Sequence, residues 1–191
     1  MGRFYAVLNG VKLGVFIERD GILNRARVDR QHQVSPLTLE DFHPIAGAAA
    51  LLKRLKAAGL LVFATTNQPG LSRGYLSRRE LDRMHELLRA TFPLDDILVC
   101  PHDEVDECPC RKPKPGLLIE ASFNYRVILE GSYVVSDKWQ DAEAAREVGC
   151  TSVLLQSPWI GNVHRDYALP SPGKVVDKIL ALHAARLASA I

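Results

Sequence analysis

Two carboxylates, Glu18 and Asp20, follow directly on the apolar run 13–17 and precede Gly21. A short, nearly continuous apolar run reads as a buried parallel strand. Carboxylates straight after it sit at the strand's carboxyl end, where open α/β sheets receive their ligands. Gly21 allows the sharp turn that such a strand end needs. The same arrangement recurs along the chain. Run 60–66 ends in Thr65, Thr66, Asn67 and Gln68, run 97–100 in Cys100 and His102, and run 132–136 in Asp137 with Asp141 close behind. In a parallel sheet these ends share one edge, so residues far apart in sequence would meet in one cleft.

The chemistry of that edge follows from its donors. Glu18, Asp20, Asp137 and Asp141 would repel one another without a cation among them, and hard carboxylate oxygens suit Mg²⁺. Phosphoryl transfer uses such an ion to neutralise phosphate oxygens, together with hydrogen-bond donors aimed at the transferring group. The Thr66 hydroxyl, the amides that follow it and an ammonium can supply those donors. Lys112 is the candidate ammonium, presented with Arg111 in a segment stiffened by Pro113 and Pro115. Just before it lies Cys100-x-His102-x₅-Cys108-x-Cys110. Three thiolates and an imidazole suit tetrahedral Zn²⁺, and four protein ligands leave no open position, so this zinc would be structural. Asp103, Glu104, Asp106 and Glu107 around them argue against a mere cluster of core cysteines.

The elements that must hold these groups alternate. After the first strand, residues 24–41 are polar and read as a long loop of the kind that often carries function. A helix is expected over 44–58, with Ile45, Ala48, Ala49, Leu52 and Leu55 on one face, Pro44 in the first turn and Gly59 at the end. Strand 60–66 leads through the Gly/Pro turn 69–75 to a helix ending near 90, opened by a Ser77/Glu80 capping box. Strand 97–100, the Cys/His loop, helix 115–124, strand 132–136, helix 140–148, strand 151–155, loop 156–172 and helix 173–187 complete the order. Such alternation predicts an α/β, doubly wound, mainly parallel Rossmann-like sheet. Residues 1–11 read as a short extra strand or arm. His43, His85 and His183 read as ordinary surface or partly buried residues, and Cys150 as a small core residue.

The 191 residues, 47% of them apolar and 24% charged, predict one globular domain, 1–191, with a substantial core. A net charge of +2 gives no argument for nucleic acid. No run of 18 apolar residues is present, no signal-type segment opens the chain, and four cysteines make no disulfide framework at this length. A cytoplasmic monomer acting on a small phosphorylated substrate, with no membrane or nucleic-acid partner, is the expectation.

With the stretches IERDG, TTNQPG, RKPKPG and VVSDKWQD in order, the chain resembles the HAD phosphohydrolases. Together with the Cys/His loop it is similar to their cap-less, zinc-containing branch, that of the heptose-bisphosphate and histidinol-phosphate phosphatases. The likeness runs from about residue 14 to 155, and NQPGLSRG, PGLL and SYVVSDK resemble the heptose enzymes more. It implies a HAD-like fold without a separate cap domain and with a zinc-bound loop, and a Mg²⁺-dependent phosphomonoester hydrolase working through an acyl-phosphate. Glu18 stands where that family places its aspartyl nucleophile. Asp20 would be the general acid/base and ligate Mg²⁺ through its carbonyl. Thr66, Asn67, Arg111, Lys112 and Lys138 would bind phosphate and substrate. Asp137 would ligate Mg²⁺ with Glu18, and Asp141 would lie just behind it.

Two positions depart from the pattern. Ser136 replaces a glycine, a mild change, and Glu18 replaces aspartate. The extra methylene moves the attacking oxygen by about an ångström, and a misplacement of that size can cost on the order of 10²-fold. Two readings follow: a sugar phosphatase of reduced activity, or a pseudo-enzyme that binds phosphorylated ligands. A zinc nucleic-acid module is a third, but it leaves the strand-end carboxylates unexplained, and they would repel a phosphodiester backbone.

Overall fold

The computed structural model describes residues 12–29 and 32–189, so the arm expected over 1–11 lies outside the described residues. Strand β1 (Gly14–Glu18) is buried along its whole length. It pairs in parallel with β4 (Leu61–Asn67) on one side and β6 (Tyr133–Val135) on the other. The six-stranded sheet has the order β5-β4-β1-β6-β7-β8, with β5 (Asp96–Cys100), β7 (Thr151–Leu155) and β8 (Tyr167–Leu169). Every pairing in it is parallel. The chain moves outward from β1 to β4 and β5, then returns to β1's other flank for β6 to β8. The carboxyl end of β1 is therefore the topological switch point, where this class of sheet opens a crevice.

The period-two alternation of strand side chains divides the core. Val15, Ile17, Val62 and Ala64 pack with Leu52 and Leu55 of α1 (Ala48–Ala57), Leu81, Met84 and Leu88 of α2 (Arg78–Thr91), and Val175, Val176 and Ile179 of α5 (Pro172–Ser189). Phe16 and Phe63, stacked with centroids 5.2 Å apart, face the other way. They meet Leu117, Leu118 and Ala121 of α3 (Gly116–Tyr125) and Ala144 and Ala145 of α4 (Trp139–Glu147). Helices on both faces of a parallel sheet make the doubly wound arrangement that the alternating pattern predicts.

Four local expectations need correction. Residues 24–41 are not a plain loop: β2 (Arg27–Asp29) and β3 (His32–Val34) form an antiparallel pair. Loop 156–172 likewise contains the edge strand β8. Helix α1 starts at Ala48 rather than Pro44, because the preceding backbone is bonded elsewhere. The amides of His43 and Ile45 donate to Asn24 Oδ1 and the Leu23 carbonyl at 2.6 and 2.8 Å, and Gly47 adopts a left-handed φ of 85°. The Ser77/Glu80 box is half formed. Ser77 Oγ accepts from the Glu80 amide, while the Glu80 carboxylate accepts from the Leu39 amide at 2.9 Å and pins the long excursion to α2.

Candidate active site

The carboxyl edge of the sheet opens into a cleft of about 520 Å³. Glu18, Asp20, Asn67, Arg111, Lys112, Lys138 and Asp141 line it, with Arg27, Gln33 and Ser35 from the hairpin region and Arg73 from the turn after β4. At its centre is the buried ammonium of Lys112. It donates to Glu18 Oε2, to Asp141 Oδ1 at 2.7 Å and to Thr65 Oγ1 at 3.3 Å. Burial opposes that charge, but the Asp141 and Glu18 carboxylates outweigh it and raise the lysine's pKa. The Lys112 main chain is clamped by Asn67, whose amide donates to the Lys112 carbonyl at 3.1 Å and whose Oδ1 accepts from its N–H at 3.2 Å. Asn67 thus sets the lysine's position, in addition to lining the cleft.

Glu18 is fixed at both oxygens, since Oε1 accepts from the Asp20 amide at 3.0 Å. The Asp20 carboxylate accepts from Arg19 Nε and Nη2 at 3.0 and 2.8 Å, from Ser35 at 2.8 Å, and from Asn24 and Gln68 at 3.2 Å each. Burial alone would raise its pKa; the Arg19 charge and these hydrogen bonds overcome that and lower it. Arg19 is wholly buried, with its guanidinium over the Phe42 ring and Nη1 3.1 Å from His85 Nε2. Burial, followed by the Arg19 charge, pushes the His85 pKa down to about 3. His85 is therefore neutral and accepts from Arg19. His85 and His183, read from sequence as surface or partly buried residues, are both buried.

Asp137 accepts from Gln33 Nε2 at 2.6 Å and from Lys138 Nζ at 2.8 Å, and the same ammonium donates to the main-chain oxygen of Asp20. Gly21, at φ 104°, makes this approach possible, because a Cβ there would lie 2.6 Å from Asp137 Oδ2. The Glu18 carboxylate, the Asp20 carbonyl and Asp137 form a set of hard oxygen donors, and a side-chain cation already stands between two of them. That set fits Mg²⁺. Ser136, in the glycine's place, donates to Asp141 Oδ2 at 2.8 Å and accepts from the Lys138 amide at 3.1 Å.

Of the cleft residues expected from sequence, Thr66 and Asp137 do not line it; Asp137 lies buried behind Lys138, and Thr66 points elsewhere. Its hydroxyl is buried and accepts from Gln68 Nε2 at 2.7 Å, while Thr65 reaches Lys112. Arg19, Gln33 and Ser35 were given no role by the sequence reading, although the polar excursion had marked the neighbourhood of Gln33 and Ser35; Gln68 was read only as a polar group at a strand end.

Beside the cleft, the donor atoms of Cys100, His102, Cys108 and Cys110 all lie within 4.8 Å of one another. Cys100 Sγ is 3.6 Å from Cys108 Sγ and 3.8 Å from His102 Nδ1. Cys110 Sγ is 3.4 Å from Cys108 Sγ and 3.3 Å from His102 Nδ1. Tetrahedral Zn²⁺ with ordinary bond lengths sets such donors about 3.5–3.8 Å apart, so the cluster fits that ion. The loop is tied to the cleft wall by Arg73, which forks onto Asp103 at 2.6 and 2.5 Å, and by Arg111 Nη1, 3.2 Å from the His102 carbonyl.

This sheet, with carboxylates and a lysine at its switch point, has the fold of the HAD-like hydrolases, and residues 109–182 match the family model described as HAD-hydrolase-like. The D-glycero-beta-D-manno-heptose-1,7-bisphosphate 7-phosphatase of Pseudomonas putida is 37% identical over 148 residues, 75% of this chain and 82% of its own. That of Bordetella bronchiseptica is 31% identical over 177 residues, 88% of this chain and 94% of its own. A crystal structure of D,D-heptose 1,7-bisphosphate phosphatase from B. bronchiseptica, complexed with magnesium and phosphate, aligns with a TM-score of 0.76 at 27% identity, covering 90% of this chain and 99% of that one. The chain belongs to the heptose-1,7-bisphosphate 7-phosphatase family of HAD phosphatases.

Proposed function

We propose that the protein is a Mg²⁺-dependent phosphatase that removes the 7-phosphate of a D-glycero-D-manno-heptose 1,7-bisphosphate. The observation that carries this reading is the buried Lys112 ammonium shared by Glu18 and Asp141, in a cleft that Arg27, Arg73, Arg111 and Lys138 also line. Several cations around one carboxylate site suit a substrate with two phosphates. The names of the relatives support the heptose as that substrate.

In this reading a Glu18 oxygen attacks phosphorus, the bond to the sugar oxygen breaks, and that oxygen takes a proton from Asp20. Water then attacks the phosphorus of the acyl-phosphate and gives a proton back to Asp20. The bond to Glu18 breaks, and inorganic phosphate leaves. Asp20 must be protonated for the first half. The arriving phosphate places negative charge beside it and raises a pKa that Arg19 otherwise holds down. Lys112 would hold the phosphoryl oxygens, and Asn67, Arg111 and Lys138 would contact substrate. Thr66 would act through Gln68, which bonds both it and Asp20. Mg²⁺ would be held by Glu18, the Asp20 carbonyl and Asp137, and would supply charge neutralisation at the phosphoryl group.

A Zn²⁺ on Cys100, His102, Cys108 and Cys110 would fix the loop that presents Arg111 and Lys112. A cluster of reduced thiols supports a reducing compartment, and we take the enzyme to act as a cytoplasmic monomer in carbohydrate metabolism. Among the described residues no helix is long and apolar enough to cross a membrane.

The second reading, a protein that binds phosphorylated ligands without turnover, draws on Glu18, whose oxygen occupies Lys112 directly. Phosphate release from heptose 1,7-bisphosphate and from histidinol phosphate, with Mg²⁺ and with a chelator, tests both. Chelator-sensitive release from the heptose is expected. Release from histidinol phosphate alone would change the substrate, and binding of both compounds without release would establish the second reading.

A further inference from the structure

Lys138 holds a position that its place after Asp137 does not explain. Its side chain is only 19% exposed, and its ammonium donates to the Asp20 main-chain oxygen and to Asp137 Oδ1. Those two oxygens are among the donors assigned above to Mg²⁺. The other Asp137 oxygen is taken by Gln33, so the carboxylate is bonded on both sides. The backbone that carries Lys138 is itself anchored. Its amide donates to Ser136 Oγ, and Ser157 Oγ donates to the Asp137 carbonyl. The side chain alone is left to move. It has somewhere to go, because Lys138 lines both the main cleft and an adjoining recess of about 610 Å³ bounded by His32, Trp139 and Trp159.

We propose that Lys138 is a tethered counter-cation that a divalent metal must displace: its ammonium holds Asp20 and Asp137 together in the metal-free protein and turns out into the cleft when the metal enters. An ammonium and a divalent ion cannot share the same two oxygens, because both demand the lone pairs and the charges repel at contact distance. Without the ammonium, the metal-free site would keep a buried carboxylate with too few partners, which is costly. The lysine therefore makes the metal-free fold tolerable at the expense of metal affinity. That affinity is reduced by the fraction of molecules whose ammonium has turned away. The proposal rests on the metal-site reading given under Proposed function.

The test uses the whole metal-stripped chain, with Mg²⁺ alone as the probe. Reductive methylation followed by mass spectrometry reads the accessibility of Lys138 without and with saturating Mg²⁺. Its labelling should rise severalfold on metal addition, while that of the exposed Lys114 stays constant. Calorimetry reads Mg²⁺ affinity directly, and Lys138→Met should tighten it by about tenfold if the inward state holds roughly nine-tenths of the molecules. Unchanged or reduced labelling of Lys138 with Mg²⁺ overturns the proposal, as does unchanged or weaker Mg²⁺ binding by Lys138→Met. Asp137→Asn separates this failure from that of the metal-site reading. If it binds Mg²⁺ as the wild type does, the site itself is misassigned. If it loses Mg²⁺ while Lys138 stays shielded in the wild type, only the displacement is wrong.

Discussion

Glu18→Asp is expected to raise turnover while lowering stability, and the two effects can be estimated separately. In the structure Glu18 extends until Oε2 meets Lys112 Nζ, the ammonium that would hold the phosphoryl oxygens. The side chain thus fills the space where a phosphoryl oxygen would contact the lysine. Removing one methylene withdraws the carboxylate by about an ångström, the projection of one carbon–carbon bond along the side chain, and opens a slot between carboxylate and ammonium. Lys112 does not lose its place, because Asp141 at 2.7 Å, Thr65 at 3.3 Å and the Asn67 clamp remain. A reacting atom misplaced by about an ångström costs on the order of 10²-fold, so the shorter side chain should return a factor of that size, about 2.7 kcal/mol of barrier. Loss of one charged hydrogen bond in a buried site costs about 1–3 kcal/mol. At about 2–4 °C per kcal/mol for a chain of this size, the melting temperature should fall by several degrees. Steady-state phosphate release with matched metal content reads the first effect, and thermal unfolding the second. A variant that melts lower and turns over more slowly would show that the pocket is fitted to glutamate. If both the variant and the wild type were inert, the phosphatase reading would fail and the ligand-binding reading would take its place.

Other perturbations have defined signs. Purified protein should carry one Zn²⁺ per chain by metal analysis, and Cys108→Ser should lose it and weaken binding of a phosphate analogue while the sheet's circular dichroism persists. Lys112→Ala should weaken that analogue by at least about tenfold, the low end for a lost charged contact; wild-type affinity would make the lysine a merely structural charge. For His85 the folded pKa, near 3, lies below the ordinary 6.5, so the folded state binds fewer protons between those values. Its contribution is fully present above pH 6.5 and is lost as pH falls toward 3, on the order of 5 kcal/mol in all. His85→Gln should flatten that part of a stability–pH curve measured by urea unfolding. Gly21→Ala should disrupt the site, since its Cβ would meet Asp137 Oδ2 at 2.6 Å and its φ of 104° disfavours a side chain; unchanged melting would refute this.

What could be read from the chain was set by how locally each feature is encoded. Strands β1, β4, β5, β6 and β7 are apolar runs that stop at polar residues, so both the sheet and the edge that carries the chemistry were legible. The zinc cluster was legible because all four donors fall within eleven residues. The hairpin was not, since Arg27–Asp29 and His32–Val34 are three residues each, polar and largely exposed, with no apolar alternation to mark them. Strand β8, equally short, borrows its order from β7. Thr66 and Thr65 differ only in parity, and which of two adjacent residues faces the cleft depends on the register of the strand, not on residue type. The partners of Arg19 and Lys138 are set by tertiary contacts with His85 and with the Asp20 carbonyl, which no spacing reveals.

The charges of the site explain why those hidden partners are needed. Glu18, Asp20, Asp137 and Asp141 are all buried at one strand edge. Lys112 serves Glu18 and Asp141, Arg19 serves Asp20, and Lys138 serves Asp137. Three cations against four carboxylates leave a single negative charge, small enough for the metal-free protein to fold around. A divalent ion that enters as the Lys138 ammonium turns outward neutralises that set, and the cleft's Arg27, Arg73, Arg111 and the outward Lys138 remain to meet a phosphate dianion. Replacing any one of the three cations with a neutral residue would double the excess in the metal-free state. The loss should be largest for Arg19, which is wholly buried and holds the Asp20 carboxylate by two hydrogen bonds.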